Sequence, residues 1–376
     1  MKYLIFFATL LFVPFLLTAQ DDAEKQGYGF EVVKELPHTS VKNQGNSGTC
    51  WSYATTSYLE SEILRLGKDT VDLSEMFYVY YAYIKKAEKY IMRHGLANFS
   101  QGGQAHDVMN IIRNRGMVPE SAYAGKEYKG KYQSHDEVVT LMTAMLESLA
   151  DLETKMELWP MALQSILDVY FGKTPAIFDW NGKAITPKSF QEEMGINPDD
   201  YVEFTSFTYY PYYQKVNLDI PDNWSDDLYY NVTLDELIEI IDYAIENGHT
   251  VCWDGDVSEE GFDHRSMIAV MPTKEAMKDD LFKYEISPEK EVSVESREAG
   301  FMSQKSTDDH LMHLVGTSKD AKGNKYYIIK NSWDESTNDF GGKLHMSLPY
   351  VKAKTIAYMV HKDAVPKHIK KKIGLK

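Results

Sequence analysis

The stretch NQGNSGTCWSYA, residues 43–54, sets a cysteine behind a glycine-broken polar run, where a helix is expected to begin. A thiol becomes a nucleophile as its thiolate, and a helix N-terminus or a nearby imidazolium stabilises that charge. Cys50 follows Gly48 and Thr49, and the glycines let backbone approach a substrate with no side chain between them. Gln44, six residues upstream, is positioned to aim an amide N–H at the same point as the Cys50 backbone N–H. Two such donors hold a developing oxyanion. The chemistry this pattern predicts is attack on a carbonyl through a covalent acyl-enzyme. The other cysteine, Cys252 in HTVCWDGDV, follows a helix stop on a predicted strand and reads as a buried small hydrophobe. A Cys50–Cys252 disulfide is the competing reading, since sequence spacing does not exclude it. The DGD run there, with Glu259 and Glu260, lacks a twelve-residue ligand pattern and reads as a loop rather than a calcium site.

These groups need elements to hold them. From Cys50 the pattern is helical, with Leu59, Ile63 and Leu66 on one face and Gly67 as the stop. Asp72 with Glu75 predicts a capping box for a second helix closed by Gly95, and AHDVMNIIRNRG predicts a third ending at Gly116. Residues from about 125 to 230 differ in texture, with helical runs followed by aromatic-rich irregular sequence, and read as an inserted subdomain. Thr233 and Glu236 then cap a strongly amphipathic helix, TLDELIEIIDYAIENG. HLMHLVGTS and KYYIIKNSW flank the turn KDAKGN as an antiparallel hairpin. Helices first and sheet last is an α+β order.

Composition narrows the function classes. With 40 basic and 56 acidic residues the formal net charge is −16, which repels phosphate backbones and argues against nucleic acid as a partner. Lysines cluster in KHIKKKIGLK, a pattern typical of a solvated terminus. The chain opens with Lys2, an apolar run from Tyr3 to Leu17 and the small-residue exit Thr18-Ala19-Gln20, the layout of a secretory signal. Cleavage near Ala19 is expected to give an exported chain, periplasmic or extracellular, from 20 to 376 with no stable membrane anchor.

The segment QGNSGTCWSYA resembles the active-site segment of papain-like cysteine peptidases, in which glutamine, cysteine and tryptophan have this spacing. DDHLMHLVG resembles the family's histidine strand, KNSW its asparagine segment, and SQGG the glycine pair lining its substrate cleft. The resemblance implies a two-part α+β fold, a helical half and an antiparallel β half, here with a helical insertion. It implies that His310 takes the thiol proton, that Asn331 orients the imidazole, that Trp333 shields that hydrogen bond, and that Gly102 and Gly103 bind substrate. Matching the family's spacing to Gly316, the resemblance assigns His310 rather than His313. Residues three apart on a strand face opposite sides, so His313 is expected to point away from Cys50. For the same reason the two histidines of DDHLMH do not converge on a metal.

Papain-like enzymes of ordinary size place the histidine ~130–150 residues after the cysteine; here the interval is 260. The enlargement is similar to the bleomycin hydrolase and aminopeptidase C branch. That branch implies a thiol aminopeptidase acting on peptides without metal or organic cofactor. It also implies assembly into hexameric cages in which the chain's C-terminus enters the cleft and restricts cleavage to N-terminal ends. The sequence departs from the pattern in three places. Ser47 stands where many secreted relatives have a disulfide cysteine, Asp334 replaces a glycine after the asparagine segment, and the tail after Val365 is short. If the tail does not reach the cleft, endopeptidase action is the alternative. An amidase with the same triad, or a silent binding protein on the same scaffold, are further alternatives.

Overall fold

The computed structural model describes residues 27–376 apart from 126, 129, 130, 133, 155 and 156. The secretory signal expected at 1–19 lies outside the described residues.

Helix α1, Cys50–Arg65, lies in the first of two hydrophobic cores and packs against strand His310–Lys319. Its apolar residues Trp51, Tyr58, Leu59 and Ile63 are fully buried, each stabilising the fold by about 1.5–3 kcal/mol. Leu66, expected on the same face, falls at the C-cap and is exposed, because Gly67 at φ +75° turns the chain away at that point. Helices α2, Glu75–Met92, and α3, Ala105–Arg115, pack on α1 and on each other. The cap of α2 differs from the expected Asp72–Glu75 box. Ser74 is the N-cap, its hydroxyl accepting from Phe77 N at 3.1 Å. Asp72 and Glu75 are instead drawn to the Lys42 ammonium, at 2.5 and 2.6 Å. Gly116 ends α3 as expected.

Residues 125–230 divide between two places. Helices α4, Asp136–Ala150, and α5, Trp159–Phe171, pack on α2 and bury Met142, Leu146, Leu163 and Leu167 in the first core. Strands Tyr201–Thr205 and Leu228–Asn231 join the main sheet.

That sheet has eleven strands among the described residues. At its centre is His310–Lys319, paired antiparallel with Lys325–Lys330 through the expected hairpin and, on its other side, with Val251–Gly255. Thr355–His361 follows, then Tyr201–Thr205, both antiparallel. The pairings of Ile268–Ala269 with Lys343–Ser347 and of Tyr201–Thr205 with Leu228–Asn231 are parallel, so the sheet is mixed rather than purely antiparallel. Helix Leu234–Glu246 carries the predicted Thr233–Glu236 capping box and buries Leu237, Ile241 and Ile245 against the sheet. The chain ends in helix Lys367–Ile373, whose Ile369 and Ile373 enter this second core.

α1 is fastened to the sheet by polar contacts across the seam. Ser57 Oγ lies 2.8 Å from His313 Nδ1 and accepts from Lys330 Nζ at 2.7 Å, and Thr55 Oγ1 lies 3.5 Å from Cys252 Sγ.

Candidate active site

Cys50 is the first residue of α1, and Thr49, the N-cap, supplies no side-chain cap. Leu311, the second residue of the central strand and the neighbour of His310, lines the same cleft as Cys50. Both cysteines are free, and Cys252 is fully buried against α1, as a small hydrophobe would be.

His310 opens the central strand and Asn331 follows the hairpin's second strand, so the hairpin register brings them together. His310 Nε2 lies 2.7 Å from Asn331 Oδ1. That atom is the amide oxygen, because it also accepts the Ser332 backbone N–H at 2.7 Å. His310 Nε2 is therefore the donor, and the neutral ring keeps its lone pair on Nδ1, the atom free to take a proton. Trp333 stacks on the imidazole with ring centroids 5.0 Å apart. His264, which the sequence reading missed, backs the pair. Its ring faces Trp333 edge-on, and Asn331 Nδ2 donates to its Nδ1 at 3.3 Å. His313 faces away and is packed, fully buried, against Ser57 and Tyr58.

Gln44 is locked to the asparagine segment. Its backbone N–H donates to Ser332 O, and its Oε1 accepts from Ser332 Oγ at 2.6 Å. One amide hydrogen goes to Ser47 O at 2.7 Å. The second leaves one donor for an oxyanion. Asp334, in place of the glycine, has φ +79° and stabilises this left-handed backbone by accepting from Ser336 N at 2.9 Å.

Protonation departs from the thiolate expected at a helix N-terminus. Burial pushes the Cys50 thiol up to about 12, against the opposing pull of the Leu311 and Trp51 N–H groups. Burial likewise lowers His310 to about 4, with the Asn331 contact acting the other way. Desolvation of both groups thus works against their charged forms and opposes the helix terminus.

A cleft of 650 Å³ opens over Cys50. Gly45–Gly48 form one wall, Gln101, Gly102 and Gly103 another, and Asp309 and Leu311, the neighbours of His310, a third. Asp222 and Asp308 also face it, and neither was singled out from sequence. The glycine pair is required by close approach. A Cβ on Gly103 would lie 3.0 Å from the Trp51 ring and 2.8 Å from Asp107 Oδ2. Lys86, also unanticipated, is buried under the loop and donates to Ser100 O at 2.9 Å and to Gly102 O. Gly103→Ala is expected to destabilise the chain by about 1–3 kcal/mol, read by urea unfolding, since neither Trp51 nor Asp107 has room to move. An unchanged midpoint would mean the loop is not packed this tightly.

Among the described residues, one set of three donors is close enough for a metal: Glu62, His249 and His361, near the far end of α1 from Cys50. The Glu62 carboxylate is already held by Arg65 through hydrogen bonds of 2.9 and 2.7 Å.

Comparison with known proteins agrees with this architecture. The chain is 24% identical to aminopeptidase G of Lactobacillus delbrueckii subsp. lactis, over 89% of this chain and 83% of that protein. It is 22% identical to aminopeptidase C of Listeria monocytogenes, over the same shares. The crystal structure of PepW from Lactobacillus rhamnosis superposes with a TM-score of 0.73 at 20% identity, covering 92% of this chain and 84% of that one. This establishes the α+β papain-like fold. The model of the Peptidase C1-like family matches residues 16–375, and the chain belongs to that family of papain-like cysteine peptidases.

Proposed function

We propose that Cys50, His310 and Asn331 act as a catalytic triad that removes residues from the N-terminus of peptides. The observation that carries this reading is the central strand's start, where His310 is oriented by Asn331 and the next residue, Leu311, lines the same cleft as Cys50. On substrate binding, the thiol proton passes to His310 Nδ1 as sulfur attacks the scissile carbonyl carbon. The tetrahedral oxygen is held by the Cys50 backbone N–H and the remaining Gln44 side-chain N–H. The imidazolium returns its proton to the leaving amine, and a thioester remains on Cys50. Water, deprotonated by His310, attacks that thioester, and the acid leaves with the thiol restored. Trp333 covers the His310–Asn331 bond from water.

Exopeptidase action is supported by the names of the relatives and by carboxylates at the cleft. It is not supported by the tail. Helix Lys367–Ile373 is turned into the second core, and Lys372 pairs with Glu236 on the Leu234–Glu246 helix at 2.5 Å. No described residue beyond Leu311 lines the cleft. Mass spectrometry of the products from a free-N-terminus peptide and its acetylated twin tests the mode. Stepwise removal from the free peptide alone is expected. Internal cuts in both would replace the proposal with an endopeptidase, and cleavage confined to small amides would replace it with an amidase.

A further inference from the structure

We infer that His264 is a positioning residue of the hydrolytic site: it fixes which side of the Asn331 amide faces His310. The inference rests on the triad reading above and adds the group that sets the tautomer of its base. An asparagine amide has nearly the same shape whichever way it is turned, but its oxygen accepts and its nitrogen donates. His310 keeps a lone pair on Nδ1 for the thiol proton only while the Asn331 oxygen faces Nε2. The Ser332 N–H holds that oxygen at 2.7 Å. The other end of the amide is its nitrogen, which lies 3.3 Å from His264 Nδ1.

For His264 to accept there, its Nδ1 must be unprotonated, and the surroundings of Nε2 make it so. Nε2 lies 2.8 Å from Thr337 Oγ1. The Thr337 hydroxyl gives its one hydrogen to Asp334 O at 2.6 Å, so towards His264 it is an acceptor. Asn338 Nδ2 lies 3.4 Å from the same Nε2, but its two hydrogens go to His264 O at 2.9 Å and Lys343 O at 3.0 Å. Nε2 therefore carries the hydrogen and donates it to Thr337. Burial favours this neutral ring, against the opposing charge of Asp263. Donors and acceptors thus run in one direction, from Asp334 O through Thr337, His264 and Asn331 to His310. The far end is a backbone carbonyl with no hydrogen to give, so the sense of the whole chain is set there. That carbonyl belongs to the residue held at φ +79°. Both nitrogens of His264 are spent in this chain, so the ring acts through Asn331 and not on substrate.

Three variants of the full chain test this. His264→Phe keeps a ring edge-on to Trp333 and removes both nitrogens. His264→Asn returns an oxygen close to the place of Nδ1, and Thr337→Val removes only the acceptor for the Nε2 hydrogen. His264→Phe is expected to lower kcat by about tenfold or more with KM changed by less than about twofold, because the cleft walls are untouched. His264→Asn should recover most of that loss, and Thr337→Val should shift kcat in the same direction as His264→Phe. The direct readout is nitrogen-15 spectroscopy of the His310 ring, which does not depend on turnover. In the parent the hydrogen should sit on Nε2, and in His264→Phe a fraction should move to Nδ1. Should His264→Phe fail to fold, Thr337→Val carries the same two readouts. Parent-like kcat and an unmoved His310 tautomer would overturn the positioning role and leave the triad standing. Equal kcat losses in His264→Phe and His264→Asn, with the tautomer unmoved, would make His264 a packing residue and overturn it as well. A moved tautomer in a protein whose hydrolysis survives Cys50→Ala would keep the positioning role and sink the triad.

Discussion

Cys50→Ala is expected to lower kcat/KM for peptide hydrolysis by roughly 10⁴-fold or more, the scale at which a covalent nucleophile is lost. No other group among the described cleft residues can form the thioester. The oxyanion donors from the backbone and Gln44 survive the change, so binding should persist. Melting temperature is the control, since replacing one small side chain at the helix start leaves Trp51 and the seam contacts in place. Cys252→Ala is the paired experiment. That sulfur sits among core side chains beside Thr55, outside the cleft, and its removal should leave turnover near the parent level. Hydrolysis lost in Cys252→Ala but kept in Cys50→Ala would overturn the assignment.

The second large effect separates two histidines three residues apart. His310→Ala should cost at least about 10³-fold in kcat/KM, because nothing else then accepts the thiol proton. His313→Ala should instead cost about 1–3 kcal/mol of stability, by leaving a cavity beside Tyr58 and Ser57 without its buried imidazole partner, with turnover of the folded chain retained. Equal losses of turnover would mean that both rings serve the chemistry. The pH dependence has a definite sign. Burial lowers His310 to about 4, so the imidazole is neutral and competent above that value and is lost as a base when pH falls through it. In nitrogen-15 spectra its ring should carry hydrogen on Nε2 and show no titration between pH 5 and 8. A midpoint near the ordinary ~6.5 would show that the ring is wetter than its surroundings here imply.

How much of this could be read from the chain depends on the range of the interactions involved. Cys50 at a helix start and the hairpin of HLMHLVGTS with KYYIIKNSW follow from local periodicity, and the structure has these elements where they were expected; the choice of His310 over His313 and the part given to Asn331 came instead from resemblance to the papain-like pattern. The cap of α2 was misread because Lys42, some thirty residues earlier, competes for Asp72 and Glu75 and leaves Ser74 to cap. The desolvation of the thiol was not legible for a related reason. A helix N-terminus is a local feature, whereas desolvation is set by everything packed around the site. Asp222 was invisible because it meets the cleft only where the chain returns, some 120 residues later, to a bare Gly102. Lys86 sits in an ordinary-looking KKAEK run, and nothing in that spacing distinguishes it as the cation that pins the glycine loop.

The arrangement of α1 against the sheet has a consequence for the order in which competence arises. Cys50 belongs to the first part of the chain to be synthesised, while His310 and Asn331 arrive some 260 residues later and on the opposite face of the seam. A growing polypeptide therefore carries its sulfur without a proton acceptor until nearly all of it has emerged and its two cores have closed on each other. With Cys50 and His310 acting as proposed, hydrolytic capacity is thus withheld by assembly itself, with folding serving as the activating step.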